Sequence, residues 1–325
     1  MSIYGMKFGD VGNEIVSKSL RTALDFEKDF NGWKFIQFSQ EHTEIPIFAV
    51  TAYLFFVFYF PGQMVHRSAW KGTSSMLTVA LWNLGLAAFS LCGALRMAPF
   101  LLTKVHEEGF RWTVCTDPGD WYINGPVGFW MMAFIFSKIP ELMDTVWLVL
   151  KKKPVIFLHW FHHLTVLLYC WHSYVNRIGP GIWFGAMNYC VHAIMYFYYF
   201  LATVPSLRKL ARPMAQLITT VQILQMVVGS TVTVASAWYV YVGGAASCHV
   251  NSANWKMGLA MYLSYLVLFC VLFIDKYLPK DKTGRDKAEI CGVEVNAKQV
   301  DRAGFFHTDE NKGSNADLRS AKKRK

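Results

Sequence analysis

His159, His162 and His163 occupy positions i, i+3 and i+4 of the stretch LHWFHHLTVLLYCW. In an α-helix these three imidazoles share one side. A fourth, His192, lies in NYCVHAIMYFYY, where Asn188, His192, Met195, Tyr196 and Tyr199 make a second helical stripe. Upstream, KIPELMDT sets Lys138, Glu141 and Thr145 at i, i+3 and i+7 with Asp144 beside them, and downstream TTVQILQ aligns Thr219, Gln222 and Gln225. A neutral imidazole can attack an activated acyl group and pass it on, and a neighbouring imidazole can move protons near neutral pH. Histidines at this spacing can also share a metal. Only four histidines belong to these stripes, however; His42, His66, His106, His172, His249 and His307 fall in loops, at helix ends or in the terminal segments. Acyl transfer by imidazole, with no metal ligand set assigned, is therefore the preferred chemistry.

The elements carrying these stripes are long apolar runs. The 325-residue chain is 54% apolar, 16% aromatic and only 17% charged, a composition that points to an all-α polytopic membrane protein rather than a soluble domain. A helix needs about 20 apolar residues to cross the hydrocarbon. Seven segments qualify: 46–65, 76–95, 126–150, 155–174, 183–204, 214–237 and 257–274. Ionisable side chains inside such segments are functional candidates by default. At about 1.5 Å rise per residue the polar groups lie roughly 6–18 Å from one end of their helices. They form a single layer, where side chains that would be costly facing lipid can face one another.

The basic residues set an orientation. Arg67 and Lys71, then Lys151, Lys152 and Lys153, then Arg208, Lys209 and Arg212 fall in alternate connections. By the positive-inside rule that side is cytosolic, the C-terminus with it, and the N-terminus is lumenal. The net charge of +10 is split among these short segments, which argues against a nucleic-acid surface. It suits an anionic ligand at a cytosolic rim, with Lys151 and Arg208 able to attract phosphates. Cys115 and Cys248 both fall in lumenal connections, where a disulfide can persist. No basic-then-apolar leader is evident in residues 1–44. The division is a lumenal segment (1–44), a seven-helix core (45–278) and a polar tail (279–325) expected to be disordered. The tail ends KKRK, and Lys322 and Lys323 match a dilysine retrieval signal.

These motifs resemble the ELO family of fatty acid elongases. KIPELMDT fits the family's KxxExxDT pattern, LHWFHH its HxxHH box, NYCVHAIMYFYY its NxxxHxxMYxYY pattern and TTVQILQ its TxxQxxQ pattern, in the family's order. The resemblance implies a multi-pass enzyme of the endoplasmic reticulum membrane. Its reaction would condense an acyl-CoA with malonyl-CoA to a 3-oxoacyl-CoA, CO₂ and CoA, with no tightly bound cofactor. A ketoacyl-CoA reductase, a dehydratase and an enoyl-CoA reductase would complete the cycle, and a homodimer is compatible with it. The expected roles are His162 as acyl acceptor, His192 as partner in acyl transfer or in polarising the malonyl thioester, and His159 and His163 as orienting groups. Asn188, Gln222 and Gln225 would donate hydrogen bonds to the enolate. Lys138, Glu141 and Asp144 would set the chamber's charge and contact CoA, and Tyr196 and Tyr199 would serve substrate, Tyr196 beside the acyl tail. The box resembles the branch acting on saturated or monounsaturated chains. The alternative is a histidine-box di-iron desaturase or hydroxylase. A retinal-type protein would need a lysine deep in the last span, where Lys256 sits only at the edge.

Overall fold

A computed structural model describes residues 22–278 together with 287–290 and 293–296. Between 22 and 278 every regular element is helical. After a short turn at Asp25–Lys28, α1 spans Gly32–Glu41, α2 Glu44–Gln63, α3 Thr73–Glu108, α4 Gly125–Ser137, α5 Met143–Leu150, α6 Phe157–Val175, α7 Gly181–Thr203, α8 Met214–Gly243 and α9 Ser252–Tyr277. Within the tail, Lys287–Ile290 pairs antiparallel with Val293–Asn296. Lys322 and Lys323 lie outside the described residues.

Helices cover all seven apolar segments, with one correction. The expected continuous helix over 126–150 is two helices, α4 and α5, joined by a 3₁₀ turn at Pro140–Leu142. Proline has no N–H to donate and its ring collides with the carbonyl four residues back, which favours the break at Pro140, although α2 and α3 continue through Pro61 and Pro99. Four helical segments are long and apolar enough to cross a membrane: Glu44–His66, Thr73–Glu108, Met214–Gly243 and Ser252–Tyr277. Their outward faces carry Phe48, Phe58, Leu81, Leu95, Val234 and Trp238 well exposed, an apolar belt that a water-facing protein does not maintain.

Pairwise packing closes a ring. α3 lies along α7, α7 against α8, α8 against α9, α9 against α6, α6 against α4, and α4 returns to α3. α2 stays outside, against α5 and α6. Small residues let the ring close tightly. A Cβ added at Gly93 would stand 2.5 Å from the Tyr189 ring, and one at Gly229 would stand 2.4 Å from Tyr262. The basic connections gather at one end: Trp70 N–H donates to the Leu150 carbonyl (2.8 Å) and Lys152 Nζ to that of Val65 (3.2 Å). At the other end a disulfide joins Cys115 to Cys248. There His249 N–H donates to the Cys115 carbonyl at 2.7 Å and Gly179 N–H to that of His249 at 2.9 Å. α1 packs at this end too, against α4 and α6. Its hold includes the Trp171 indole donating to the Ser39 carbonyl at 3.1 Å and Gly32 N–H donating to Asn124 Oδ1 at 3.0 Å.

Candidate active site

The break at Pro140 shapes the first polar group. Lys138 ends α4 and Glu141 sits in the 3₁₀ turn, where residues three apart eclipse. Lys138 Nζ therefore reaches both Glu141 carboxylate oxygens, at 2.7 and 3.0 Å, with both residues 2% exposed. Ser137 Oγ adds a third donor to Glu141 at 2.8 Å. Lys138 also donates to Asn188 Oδ1 on α7 at 3.3 Å. An ammonium only donates, so the Asn188 carbonyl must face it and the amide NH₂ must face His192 Nε2, 3.0 Å away. His192 Nε2 is thus the acceptor and its ring proton lies on Nδ1, turned toward Glu141 Oε2 at 4.0 Å. Lys138, Glu141, His192 and Asn188 close a circuit of complementary partners between α4, the turn and α7.

A second group stands beside it. Asp144 at the start of α5 accepts from the Trp82 indole of α3 and from the Tyr196 hydroxyl of α7, each at 2.7 Å. The fully buried Thr145 hydroxyl bonds His159 Nε2 at 2.8 Å and the Tyr53 hydroxyl of α2 at 2.9 Å. His159 stacks edge-on to His163 (centroids 4.6 Å apart), and His163 to His162 (5.4 Å).

His162 is the histidine that reaches open space. The ring surrounds a cavity whose polar end is made by His162, Asn188 and Gln225, from α6, α7 and α8. Beyond them the walls turn mostly apolar: Val166, Tyr169, Cys170 and Tyr174, with Ser173 among them, continue down one face of α6. The far end is lined by Ile36 of α1 with Tyr122, Ile123 and Ile178, and by Arg177. His162 to Tyr174 is twelve residues, or about 18 Å of helix rise.

The expected residues therefore divide. His159, His162, His163 and the Lys138–Asn188–His192 circuit come together, while Gln222 donates to Met195 Sδ at 3.4 Å and does not line the cavity. Tyr196, expected beside the acyl tail, instead binds Asp144, because its hydroxyl finds a carboxylate one helix away. Tyr199 packs on Tyr196 at 6.1 Å between centroids. Lys151 ends α5 at the basic end, where burial first, and the neighbouring Lys153 charge second, pull its ammonium below the ordinary range. Arg208 Nε donates to the Ala202 carbonyl at 3.4 Å. Tyr53, Trp82, Tyr265 and Ile36 were not read from the sequence as site residues. Each is a lone side chain in a run with no polar periodicity.

The model of the GNS1/SUR4 (ELO) family matches residues 38–285. The chain belongs to the ELO family. This ELO-family chain is 43% identical over 276 residues to "Fatty acid elongase 3" of Trypanosoma cruzi, covering 77% of this chain and 89% of that one. It is 40% identical over 293 residues to the Trypanosoma brucei brucei protein of the same name (83% and 95%). It is also 40% identical over 263 residues to "Very long chain fatty acid elongase 6" of Gallus gallus (80% and 98%). The oxygenase alternative finds no support from these relatives. Nor, among the described residues, does any group of three His, Cys, Asp or Glu side chains converge as a metal site.

Proposed function

We propose that the chain is a fatty acid elongase of the endoplasmic reticulum membrane that condenses a medium- or long-chain, saturated acyl-CoA with malonyl-CoA. The observation that carries this reading is the placement of His162 at the polar end of a deep, mostly apolar cavity. A C–C bond of about 1.5 Å advances an extended chain by about 1.25 Å per carbon, so 18 Å of α6 accommodates about 14 carbons below the imidazole.

His162 is the acyl acceptor. The unprotonated ring nitrogen attacks the thioester carbonyl; an N–C bond forms, the C–S bond breaks, and the single proton on the other ring nitrogen goes to the departing sulfur as free CoA. Malonyl-CoA then loses CO₂, and its electron pair becomes an enolate, which hydrogen bonds from Asn188 and Gln225 favour. The enolate carbon attacks the acyl-imidazole, the N–C bond breaks, and the imidazolate is reprotonated by solvent water, which replaces the proton that left with CoA. His192 serves here through its Nδ1–H, since Nε2 is committed to Asn188. His159 and His163 orient the ring stack. The product is a 3-oxoacyl-CoA, which reduction, dehydration and a second reduction would convert to the elongated acyl-CoA.

Seven spans with a lumenal N-terminus fit the same reading. The disulfide end suits an oxidising lumen and the basic end suits the cytosol, where CoA thioesters approach. Arg208, Lys151 and their neighbours supply the phosphate-attracting rim. His162→Ala in purified protein, given labelled malonyl-CoA and a ladder of acyl-CoAs, should abolish chain extension and leave chelator-treated wild type active. Extension at the wild-type rate by that variant would reject the assignment.

A further inference from the structure

We propose that Tyr265 of α9 is the residue that positions the His162 imidazole, which rests on His162 being the acyl acceptor. Among the described residues the His162 ring nitrogens receive no hydrogen bond from the protein. His159 is held by Thr145 and His192 by Asn188. What fixes the His162 ring is contact with two other rings. His163 lies edge-on at 5.4 Å, and Tyr265 lies on another side at 5.1 Å with the planes tilted by 48°.

Tyr265 is 2% exposed and lines the same cavity. Its hydroxyl contacts Thr165 Oγ1 and donates to the His162 main-chain carbonyl at 3.3 Å. Thr165 is itself tied to the Phe161 carbonyl at 2.7 Å. The hydroxyl thus pins the tyrosine to the α6 backbone one turn around the reacting residue, and the ring face restrains the imidazole. This arrangement leaves both imidazole nitrogens available, one to attack and one to release its proton. A hydrogen-bonding orienter would occupy one of them. A nucleophile displaced by about 1 Å can lose about 10²-fold in rate, so the restraint acts on the rate of acylation rather than on acyl-CoA binding.

The test is single-turnover release of free CoA from a long-chain saturated acyl-CoA, without malonyl-CoA, by the full-length protein in detergent. Tyr265→Phe keeps the ring and should acylate within about threefold of wild type. Tyr265→Leu should slow acylation at saturating acyl-CoA by about 10–100-fold, with half-saturation and chain-length preference unchanged. Should Tyr265→Leu fail to give a monodisperse protein, Tyr265→Met carries the same expectation. A wild-type rate in the aliphatic variant, or a change confined to half-saturation or chain length, would make Tyr265 a wall residue and overturn the proposal. So would Phe falling as far as Leu, since the hydroxyl would then act alone. His162→Ala run alongside must release no CoA. If it does release CoA, the acyl-acceptor reading fails and takes this proposal with it, an outcome distinct from the failure of Tyr265 alone.

Discussion

Lys138 and Glu141 neutralise one another in a place where neither could stand alone. Removing one partner of a buried pair leaves an uncompensated charge, at a cost of about 3–5 kcal/mol. Lys138→Met should therefore lower the thermal midpoint in detergent markedly, and adding Glu141→Gln should recover part of the loss. If the single variant melts like wild type, the pair is not buried as described. The same lysine fixes the Asn188 amide, and through it the His192 tautomer. A stability change and an activity change are thus expected together at Lys138, whereas His162, whose ring has no hydrogen bond to the protein among the described residues, should affect activity alone. The types and spacing of these residues were legible in the sequence, because ionisable side chains stand out in apolar runs. Their partners were not. Trp82, Tyr53 and Tyr265 come from helices that show no stripe of polar residues around them, and the pull of Asp144 on Tyr196 depends on a helix-to-helix distance that no spacing encodes.

At the scale of elements, the interruption between α4 and α5 is what sets Glu141 beneath Lys138. In a continuous α-helix residues i and i+3 are offset by about 60°, whereas in a 3₁₀ turn they eclipse. Pro140→Ala removes the steric reason for the turn. It should reduce elongation by an order of magnitude or more and lower the melting temperature, because misaligning the buried Lys138–Glu141 pair outweighs the helix propensity gained by exchanging Pro for Ala. Activity retained in full would show that the turn is held by its neighbours. Pro140 weakens the helical pattern at this point, but Pro61 and Pro99 stand inside continuous helices, so a proline alone does not locate a break. The unbroken hydropathy across 126–150 concealed it, because hydropathy reports lipid solubility and not backbone geometry.

Over the whole molecule, the residues before the first membrane-crossing helix are fastened to the ring. Glu27 is buried and accepts from the Trp130 indole (2.6 Å), the Leu24 N–H (2.8 Å) and Arg96 Nη2 (3.1 Å). Burial alone would raise its carboxyl, but these hydrogen bonds and the Arg96 charge outweigh it and hold the group below the ordinary glutamate value. With the folded-state value depressed, the clasp is at full strength above the unfolded value of about 4.3 and weakens as pH falls through the folded one. Limited proteolysis of the N-terminal segment should be unchanged from pH 7 to 5 and accelerate below about pH 4.3. Glu27→Gln should already be cleaved quickly at neutral pH, and equal cleavage of the two proteins throughout would reject the clasp. This segment carries no motif, so the sequence assigned it no part in the core.

Ile36 stands on that fastened segment, and it lines the end of the cavity farthest from His162. A gene trimmed to begin at the hydrophobic region would therefore yield a bottle without its stopper. Water entering from below could reach the bound acyl group before malonyl-CoA does. Such a shortened chain should spend its thioester on hydrolysis, and the ratio of free fatty acid to extended product would rise above that of the full-length enzyme.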